Sequence, residues 1–487
     1  MPTSPSDPRD SRYDLAVVGA GPAGLAAAVT AAELGLSCVL LDGGQSTGGQ
    51  YYRHPAPGLG AARPGRLHHG WSTYTGLASR LDSAERAEFR GGHQVWALER
   101  TGDGFAVHVT RGPRATDRDT VLARTVLLAT GAYERQLPFP GWTLPGVVTA
   151  GGAQAMLKAG LVLPGRRIVV AGSGPLLLAA ASSLVSAGAE VPAVVEAGDY
   201  LGYARRPDVL AAVPAKLVEG AGHGSALLRH RVRLRRRSAV VEVHGTDRVT
   251  GVTVARLDAD WRPRPGTERR IDCDALAVGH GLLPQIDLAT ELGADTLTGP
   301  DGAVALRVDA GLRTSVPGLW SAGETNGVGG ADLALVEGEL AAHAIAGALP
   351  APALRRRRAR LRAFAELMAA AHRPGAGWTG WLRPETDVCR CEEVPVARIR
   401  EAVEELGAGD PRTVKLLTRA GMGWCQGRMC GPAVACLSGA AESGADRRPL
   451  ACPVPLAQLA AGGAVSDSGS GSVSGPGSAS GSASGDG

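Results

Sequence analysis

Aromatic residues are scarce in this sequence, and long hydrophobic runs are missing from it. Phe, Trp and Tyr together make up 4% of the 487 residues, and no run of 18 consecutive apolar residues occurs. Because a membrane-spanning helix needs about 20 such residues, no transmembrane segment is expected. Residues 1–12 contain no apolar core of the kind that a secretion signal requires, so we expect a disordered lead-in and a cytoplasmic location. The net charge of +4 is small for this length and indicates no nucleic-acid partner.

Cysteine is absent from most of the chain. The sequence has eight cysteines, of which none lies between Cys38 and Cys273, and four lie within residues 389–430. In a chain without a leader, such a cluster indicates metal binding rather than disulfide bonds. We expect the other four, Cys38, Cys273, Cys436 and Cys452, to be packing residues.

One structural pattern occurs twice in the sequence. An apolar run over residues 14–18 enters a glycine-rich turn at 19–24, an Ala-rich stretch follows, and a second apolar run ends at Asp42. The same order recurs from residue 167 through a second glycine-rich turn to a run that ends at Glu196. Strand, glycine turn, helix and strand in this order predict two Rossmann-type units.

The remaining segments suggest how the chain is divided. We expect an α/β protein with two Rossmann-like dinucleotide-binding domains and a small, helical C-terminal module that carries the cysteines. The expected divisions are a disordered lead-in (1–12), a discontinuous first domain (13–140 and 276–350), a second domain (141–275), a linker with a basic amphipathic helix (351–386), the cysteine module (387–440), an extension (441–460) and a disordered Gly/Ser-rich tail (461–487). We expect the basic residues of the linker helix to form a solvated face rather than a binding patch.

The first glycine turn has the complete pattern of a dinucleotide site. Gly19 permits a tight turn, Gly21 allows a pyrophosphate to approach the backbone, and Gly24 allows the helix to pack closely on the strand. Asp42 lies at the end of the next strand, where its carboxylate can accept hydrogen bonds from a ribose diol.

The second glycine turn departs from this pattern at a position with a mechanical role. Gly172 and Gly174 are present, but Leu177 replaces the third glycine. A bulky side chain there should push the helix away from the strand and alter the anion pocket. Glu196 still ends the following strand, so a nucleotide site stays conceivable. We expect a retained fold without nicotinamide turnover, and an NAD(P)H domain is the alternative.

The cysteine module contains two close pairs of thiols. Cys389 and Cys391 are separated by one residue, and after 33 further residues Cys425 and Cys430 are separated by four. Four thiolates in this arrangement suit a [2Fe–2S] cluster or tetrahedral zinc. One-residue spacing is less typical of structural zinc, which favours the cluster.

Residues 13–347 resemble the two-dinucleotide-binding-domain flavoproteins of the glutathione-reductase-like superfamily. The resemblance depends on Gly48-Gly49-Gln50, on Ala129-Thr130-Gly131 and on the stretch from Val316 to Glu324, in which Glu324 replaces the usual Asp. It implies that the ligand is FAD and that the backbone of Val95 meets the adenine. The active-site cysteines of the disulfide-reducing members have no counterpart, so disulfide reduction is not expected. The resemblance implies the following FAD-binding residues: Gly19, Gly21, Ala23, Gly24, Asp42, Gly49, Gln50, Val95, Thr130, Gly131, Gly323 and Glu324.

The C-terminal module is similar to the bacterioferritin-associated-ferredoxin-like [2Fe–2S] domain. This similarity implies a cluster held by Cys389, Cys391, Cys425 and Cys430. Together, the two domains resemble the FAD-containing α-type subunits of opine, proline and hydroxyproline dehydrogenases and of hydrogen cyanide synthase, over residues 13–460. Specific matches are residues 129–160, 172–181 and 419–431.

The resemblance to the α-type subunits implies an electron-relay role. The expected partners are a β subunit that is itself an FAD amine-oxidase-like protein, a downstream electron acceptor and a small ferredoxin-like subunit. Two alternatives stay open: a self-contained NAD(P)H-dependent reductase that passes electrons through the cluster, and a non-catalytic zinc-binding scaffold.

Overall fold

The computed structural model describes residues 12–112, 117–440 and 450–460. The expected lead-in up to residue 11, residues 441–449 of the extension and the Gly/Ser-rich tail from residue 461 lie outside the described residues. Among the described residues, no helix is both long enough and apolar enough to cross a membrane.

The described strands and helices alternate at the start of each Rossmann-type unit, and runs of consecutive strands follow (residues 87–149 and 233–284). The strands are β1 (Tyr13–Val18), β2 (Cys38–Asp42), β3 (Ala87–Gly91), β4 (His93–Thr101), β5 (Gly104–Arg111), β6 (Asp117–Leu128), β7 (Ala132–Glu134), β8 (Val147–Thr149), β9 (Ile168–Gly172), β10 (Ala193–Glu196), β11 (Arg233–Arg236), β12 (Ser238–His244), β13 (Gly251–Arg256), β14 (Arg269–Asp272), β15 (Ala275–Gly279), β16 (Leu282–Pro284), β17 (Thr296–Thr298), β18 (Val304–Leu306), β19 (Leu319–Ser321), β20 (Asp387–Cys389) and β21 (Val394–Pro395). The helices are α1 (Pro22–Glu33), α2 (Trp71–Asp82), α3 (Ala150–Gly160), α4 (Leu176–Ser186), α5 (Pro207–Ala211), α6 (Pro214–Arg229), α7 (Asp287–Glu291), α8 (Ala331–Ile345), α9 (Pro352–Ala371), α10 (Val396–Glu404), α11 (Pro411–Thr418), α12 (Gly431–Leu437) and α13 (Leu456–Ala460).

The first sheet combines a parallel Rossmann core with an antiparallel extension. Its strand order is β3-β2-β1-β6-β5-β4, and β19 pairs with β6 in parallel. Strands β1 and β2 are mostly buried, because helices α1 and α8 cover one face of the sheet, and strands β4 and β5 with α7 pack on the other. Since β19 arrives about 190 residues after β6 (residues 128 and 319), the first Rossmann unit is assembled from two distant parts of the chain.

The second sheet contains only parallel pairs and is smaller. Its order is β11-β10-β9-β15-β8, and β12, β13 and β14 form a separate antiparallel sheet beside it. Strand β15 spans Ala275–Gly279 and pairs with β9 in the interior of this second sheet. The division expected at residue 276 therefore falls within a strand of the second unit, and the structure moves it beyond Gly279.

The basic helix α9 is attached to the first unit through a buried ion pair. Glu337 on α8 is fully buried, and its carboxylate accepts hydrogen bonds from Arg358 at 3.0 Å and from Arg362 at 2.6 Å. Other arginines of α9, among them Arg356 and Arg360, are exposed. The expectation of a solvated face therefore holds for part of the helix, and two of its arginines anchor it instead.

Tryptophans of the linker pack the cysteine module against the second unit. Trp381 stacks on Trp261 with ring centroids 6.1 Å apart, and its Nε1 donates to the Trp261 carbonyl at 3.0 Å. Trp142 Nε1 donates to the Asp387 carbonyl at the start of the module. One continuous hydrophobic core joins the second unit, the linker and the module. The linker is therefore a packed element that fixes the module in place.

Candidate cofactor sites

The first glycine turn leaves space on one side only. A Cβ atom on Gly19 would lie 2.3 Å from the Ala129 carbonyl oxygen, and one on Gly24 would lie 1.8 Å from the Gly19 carbonyl oxygen. Both glycines are therefore required by close packing of the turn, the strand and helix α1. A Cβ on Gly21, in contrast, would meet no protein atom within 4 Å. The turn is thus open at the position where a pyrophosphate would contact the backbone.

Helix α1 begins directly after Gly21 and offers donors to an anion. The first N–H groups of a helix have no partner within the helix, and the helix dipole adds partial positive charge there. The N-cap residue Gly21 has no side chain to occupy these donors, and the first turn contains no acidic residue. The N-terminus of this 12-residue helix is therefore suited to bind phosphate groups.

The Gly48-Gly49-Gln50 loop closes over this turn. The Gly48 N–H donates to the Ala20 carbonyl at 2.8 Å, and a Cβ on Gly49 would lie 2.7 Å from the Gly21 Cα. Gly49 also has a φ of 57°, in the region that favours glycine. Gln50 is exposed beside it. The loop therefore lies against the phosphate turn, where it would border a bound flavin nucleotide.

Asp42 stands at the end of β2, as the ribose position requires. Its carboxylate accepts the backbone N–H groups of Ala20 and Gly44, each at 2.6 Å. These two bonds fix the side chain between the two loops. A carboxylate has about four lone-pair sites, so acceptor capacity remains for a ribose diol.

The end of β6 completes the floor of the site. Gly131 has a φ of 75° and open space where a Cβ would be, while the Thr130 hydroxyl donates to the Gln285 carbonyl at 2.6 Å. Ala23 on α1 is buried opposite α8, because a Cβ on Gly338 would lie 2.0 Å from its carbonyl oxygen. These contacts hold the residues after β6 against the segment around Gln285, and α1 against α8.

The stretch from Val316 to Glu324, one of the segments that carry the flavoprotein resemblance, ends against the beginning of α8. The Gly323 N–H donates to Glu337, and the Glu324 carboxylate accepts the N–H of Gly330, the residue before α8, at 3.2 Å. Burial raises the pKa of Glu324. Glu324 therefore organises the beginning of α8, which is a role that its longer side chain permits and that the sequence alone did not indicate.

Val95 lies on β4 and is covered by the C-terminal segment. Its carbonyl oxygen accepts from Gln94 Nε2 at 3.3 Å and lies 3.8 Å from the Cys452 thiol. The neighbouring Trp96 carbonyl accepts the Ala451 N–H at 2.9 Å. The segment from Leu450 to Ala460 thus returns to the first unit beside the position expected for adenine.

A lysine from α3 reaches the loop that follows Gln50. Lys158 is buried, and its ammonium group donates to the Tyr51 carbonyl at 3.4 Å. Burial lowers the pKa of Lys158 to about 8. Nothing in the sequence pattern of α3 distinguishes Lys158, so it was not among the expected site residues. Lys158 provides a titratable cation next to the Gly48-Gly49-Gln50 loop.

The ribose position of the second unit is occupied by side chains of the chain itself, although a Cβ on Gly174 in the turn would meet no atom within 4 Å. Glu196 is fully buried, and its carboxylate accepts the N–H groups of Gly174 at 3.1 Å and Gly198 at 2.8 Å and the Tyr200 hydroxyl at 3.2 Å. His372, directly after α9, places Nδ1 3.5 Å from the same carboxylate. Burial alone would raise the pKa of Glu196, but the interactions with His372 and the backbone N–H groups lower it overall.

His372 is held beside Glu196 by hydrogen bonds with two side chains. The Ser173 hydroxyl donates to its carbonyl oxygen at 3.3 Å and contacts Nδ1 at 3.4 Å, and the Tyr203 hydroxyl bonds to Nε2 at 3.1 Å. The ring is buried. The acceptor that would receive a ribose diol in this unit is therefore already satisfied by the protein.

The four expected metal ligands converge in two pairs. The Cys389 thiol is hydrogen-bonded to that of Cys430, and the Cys391 thiol to that of Cys425. The hydrogen bond from Cys430 lowers the pKa of Cys389 to about 5 and raises that of Cys430. Within the described part of the chain, no three His, Cys, Asp or Glu side chains gather around one point as a single metal ion would require. Two pairs of thiols match a [2Fe–2S] cluster, in which each iron takes two cysteines.

An arginine within the cysteine loop ties the module to the first unit. Arg428, between Cys425 and Cys430, forms an ion pair with Asp287 at 3.2 Å and donates to the Ala451 carbonyl. Both charged side chains are largely buried. Asp287 belongs to α7 and Ala451 to the segment that contacts β4, so Arg428 connects three distant parts of the chain. Nothing in the local sequence marked either residue.

These features together define a flavin-dependent oxidoreductase with an iron–sulfur module. The model of the pyridine nucleotide-disulphide oxidoreductase family matches residues 13–348, and that of the BFD-like [2Fe-2S] binding domain matches residues 388–437. The chain belongs to the pyridine nucleotide-disulphide oxidoreductase family. Its cofactors are FAD and a [2Fe–2S] cluster.

Individual relatives match nearly the whole chain. Hydrogen cyanide synthase subunit HcnB of Pseudomonas aeruginosa is 35% identical over 430 residues, which cover 85% of this chain and 90% of its own. An opine oxidase subunit of Agrobacterium tumefaciens is 34% identical over 479 residues, covering 92% of this chain and 91% of its own. The crystal structure of L-proline dehydrogenase from P. horikoshii has the same fold, with a TM-score of 0.66 at 20% identity over 92% of this chain and 79% of that chain.

Proposed function

We propose that this chain is the electron-relay subunit of a hetero-oligomeric amino-acid or amine dehydrogenase. One observation carries the proposal: an open FAD site and a set of paired cysteines occur in one chain whose second ribose acceptor, Glu196, is already bonded by Tyr200 and contacted by His372. FAD accepts two electrons together and can release them singly, whereas a [2Fe–2S] cluster carries one at a time. The chain would therefore convert electron pairs into single electrons.

We further propose which residues hold the two cofactors. Gly19, Gly21 and the first turn of α1 would bind the pyrophosphate, and Asp42 would accept the ribose diol. Gly323 and Glu324 would shape the site from the beginning of α8. The other residues proposed to line the FAD site are Ala23, Gly24, Gly49, Gln50, Val95, Thr130 and Gly131. The proposed cluster ligands are Cys389, Cys391, Cys425 and Cys430.

The substrate would be oxidised on another chain. Relatives of this chain are named as subunits of hydrogen cyanide synthase and of opine oxidase. We propose a β subunit of the FAD amine-oxidase type, which would remove a hydride from the C–N bond of a proline, hydroxyproline, opine, glycine or sarcosine-like substrate. A downstream acceptor and a small ferredoxin-like subunit would complete the assembly. Thiol ligands for a cluster suit a reducing compartment, so we place the assembly in the cytoplasm.

Co-expression with a candidate β subunit tests this proposal. Expressed alone, the chain should contain FAD and iron but reduce no dye with any of these substrates. With an amine-oxidase-like subunit encoded beside it, the chain should co-purify and reduce dye with one of them. Robust amino-acid oxidation by the isolated chain would contradict the relay role.

Metal analysis of four variants tests the cluster ligands. Replacing any of the four cysteines by Ser removes one of four ligands, so each variant should lose iron and inorganic sulfide after anaerobic purification. Cys436→Ser is the matched control, since Cys436 is exposed on α12 and belongs to neither pair, and it should retain both. Zinc without iron in the wild-type protein would support the scaffold alternative instead.

A further inference from the structure

One positive charge lies inside the loop that carries two of the proposed cluster ligands. Arg428 stands between Cys425 and Cys430, and its Nη1 donates to the Cys425 carbonyl oxygen at 3.3 Å. Its guanidinium is therefore separated from the Cys425 thiol by no more than one hydrogen bond and the length of one residue. The Arg428 side chain is only 13% exposed, so water and salt screen its charge weakly.

The charge that balances Arg428 comes from the first unit. Asp287, in the first turn of α7, places Oδ1 3.2 Å from Arg428 Nη2, and its side chain is 9% exposed. Helix α7 packs on the first sheet against β4. Because Asp287 is far from the cysteine module in the sequence, the two charges meet only when the module lies against the first unit.

Two other titratable groups lie near this ion pair. Glu291 follows Asp287 by one turn on α7, and burial raises its pKa to about 7. The Cys452 thiol lies near both charges, and burial raises its pKa. At about pH 8.5 Glu291 is therefore ionised and Cys452 is largely protonated. At that pH, variants of the pair change only the charges of Arg428 and Asp287.

We propose that the Arg428–Asp287 pair sets the reduction potential of the [2Fe–2S] cluster, and that Asp287 holds this potential below the value that Arg428 alone would give. Reduction adds one negative charge to the cluster, so a nearby cation favours the reduced form and a nearby anion disfavours it. The inference rests on the proposed relay function and on the proposed ligands Cys425 and Cys430. It implies that the cluster acquires its working potential only in a module docked on the first unit.

Redox titration of the full-length holoprotein tests the inference. Electron paramagnetic resonance would follow the amount of reduced cluster while mediators set the potential, at about pH 8.5. Asp287→Asn removes the anion with little change of shape, so it should raise the midpoint potential. The expected size is a roughly tenfold change in the one-electron equilibrium, about 59 mV. Asp301→Asn is the matched control and should leave the potential unchanged, since Asp301 pairs with Arg135 at 3.4 Å outside the module.

Substitutions of the cation provide the second arm. Arg428→Gln should lower the midpoint potential, because the negative charge of Asp287 is then no longer balanced. Arg428→Lys keeps the positive charge and should stay near the wild-type potential. The double variant Arg428→Gln/Asp287→Asn removes both charges and should return toward the wild-type value. A merely structural tie predicts no such return, since the double variant loses every contact that either single variant loses.

Each contrary result has a distinct meaning. Midpoint potentials that stay unchanged, that shift in the same direction in Asp287→Asn and Arg428→Gln, or that fail to return in the double variant would overturn the inference. If Arg428→Gln cannot hold the cluster, Asp287→Asn and Arg428→Lys still decide, because only the first of these two should raise the potential. Failure of substrate-dependent dye reduction, with the expected shifts present, would count against the relay function alone. Wild-type protein without iron after anaerobic purification would overturn both the inference and the proposed ligands.

Discussion

The two Rossmann units begin with the same strand, glycine turn and helix, but they differ at the carboxylate that follows the turn. A Cβ on Gly21 or on its counterpart Gly174 would meet no atom within 4 Å, and in the first unit Asp42 retains acceptor capacity beside the turn. In the second unit the corresponding carboxylate, Glu196, is fully buried beneath Tyr200 and His372. The difference shows that a Rossmann unit can keep its fold when the protein's own groups already engage the carboxylate that would bind a ribose.

Of the changes that test this difference between the two units, Gly21→Ala should have the largest effect, which is on FAD occupancy. Its φ of −70° suits alanine, and the added methyl group meets no protein atom, so the fold should be unaffected. The methyl would instead occupy the space where the pyrophosphate contacts the backbone, so FAD occupancy should collapse. Flavin absorbance after purification measures the loss, and circular dichroism checks the fold. A variant that purifies with full flavin would show that the open turn is not the FAD site.

Reduced nicotinamides should fail to reduce the flavin. The second unit lacks a free ribose acceptor, because Glu196 already accepts from Gly174, Gly198 and Tyr200. Anaerobic mixing with NADH or NADPH in a stopped-flow spectrometer should leave the flavin oxidised, while dithionite bleaches it. Stoichiometric bleaching within milliseconds would restore the NAD(P)H-reductase alternative. Binding of another adenine nucleotide without reduction of the flavin would not contradict this prediction.

Leu177→Ala should weaken the protein without changing its ligands. Leu177 is buried in the core of the second unit, so the truncation should lower the free energy of unfolding by about 2–5 kcal/mol. FAD content should stay at the wild-type level, because the first unit is untouched. Leu177→Gly, which restores the third glycine, should still give no reduction by NADH, since the closed corner at Glu196 remains. Denaturant titration and flavin absorbance together provide the measurement.

Glu196→Gln should produce the smallest effect, and one that depends on pH. The folded-state pKa of Glu196 is lowered, so its ionised form stabilises the fold above its unfolded value, about pH 4.3. This contribution is lost as the pH falls through the lower folded value. At neutral pH the variant should therefore be less stable by about 1–3 kcal/mol, and the difference should shrink as the pH decreases below about 4. A difference in melting temperature that does not vary between pH 7 and pH 3 would contradict the assignment.

The sequence predicted the features that depend on local geometry. Gly19 and Gly24 are required by contacts within one strand–turn–helix unit, and short-range spacing reveals them. Spacing and residue type grouped the four cysteines, but the structure pairs Cys389 with Cys430 and Cys391 with Cys425, across the two close pairs of the sequence. Trp378 and Trp381 of the linker are buried, as large aromatic side chains need a core to enter.

Other features depend on residues that meet only in the folded chain. His372 and Ser173 are separated by 199 positions, and Arg428 and Asp287 lie in different domains, so no local pattern pairs them. The expectation that Cys436 is a packing residue was wrong, because it lies on the outer side of the short helix α12 and is exposed. Cys38 and Cys273, in contrast, are buried as expected.

The shared core of the second unit, the linker and the cysteine module has a consequence for biosynthesis. During translation, at about 5–20 residues per second, the first sheet is complete once β19 and α8 have left the ribosome. The core around Trp142 and Trp261, however, must wait for Trp381 and Ile399, which are made later. The first sheet can therefore form before the cysteine module has been made.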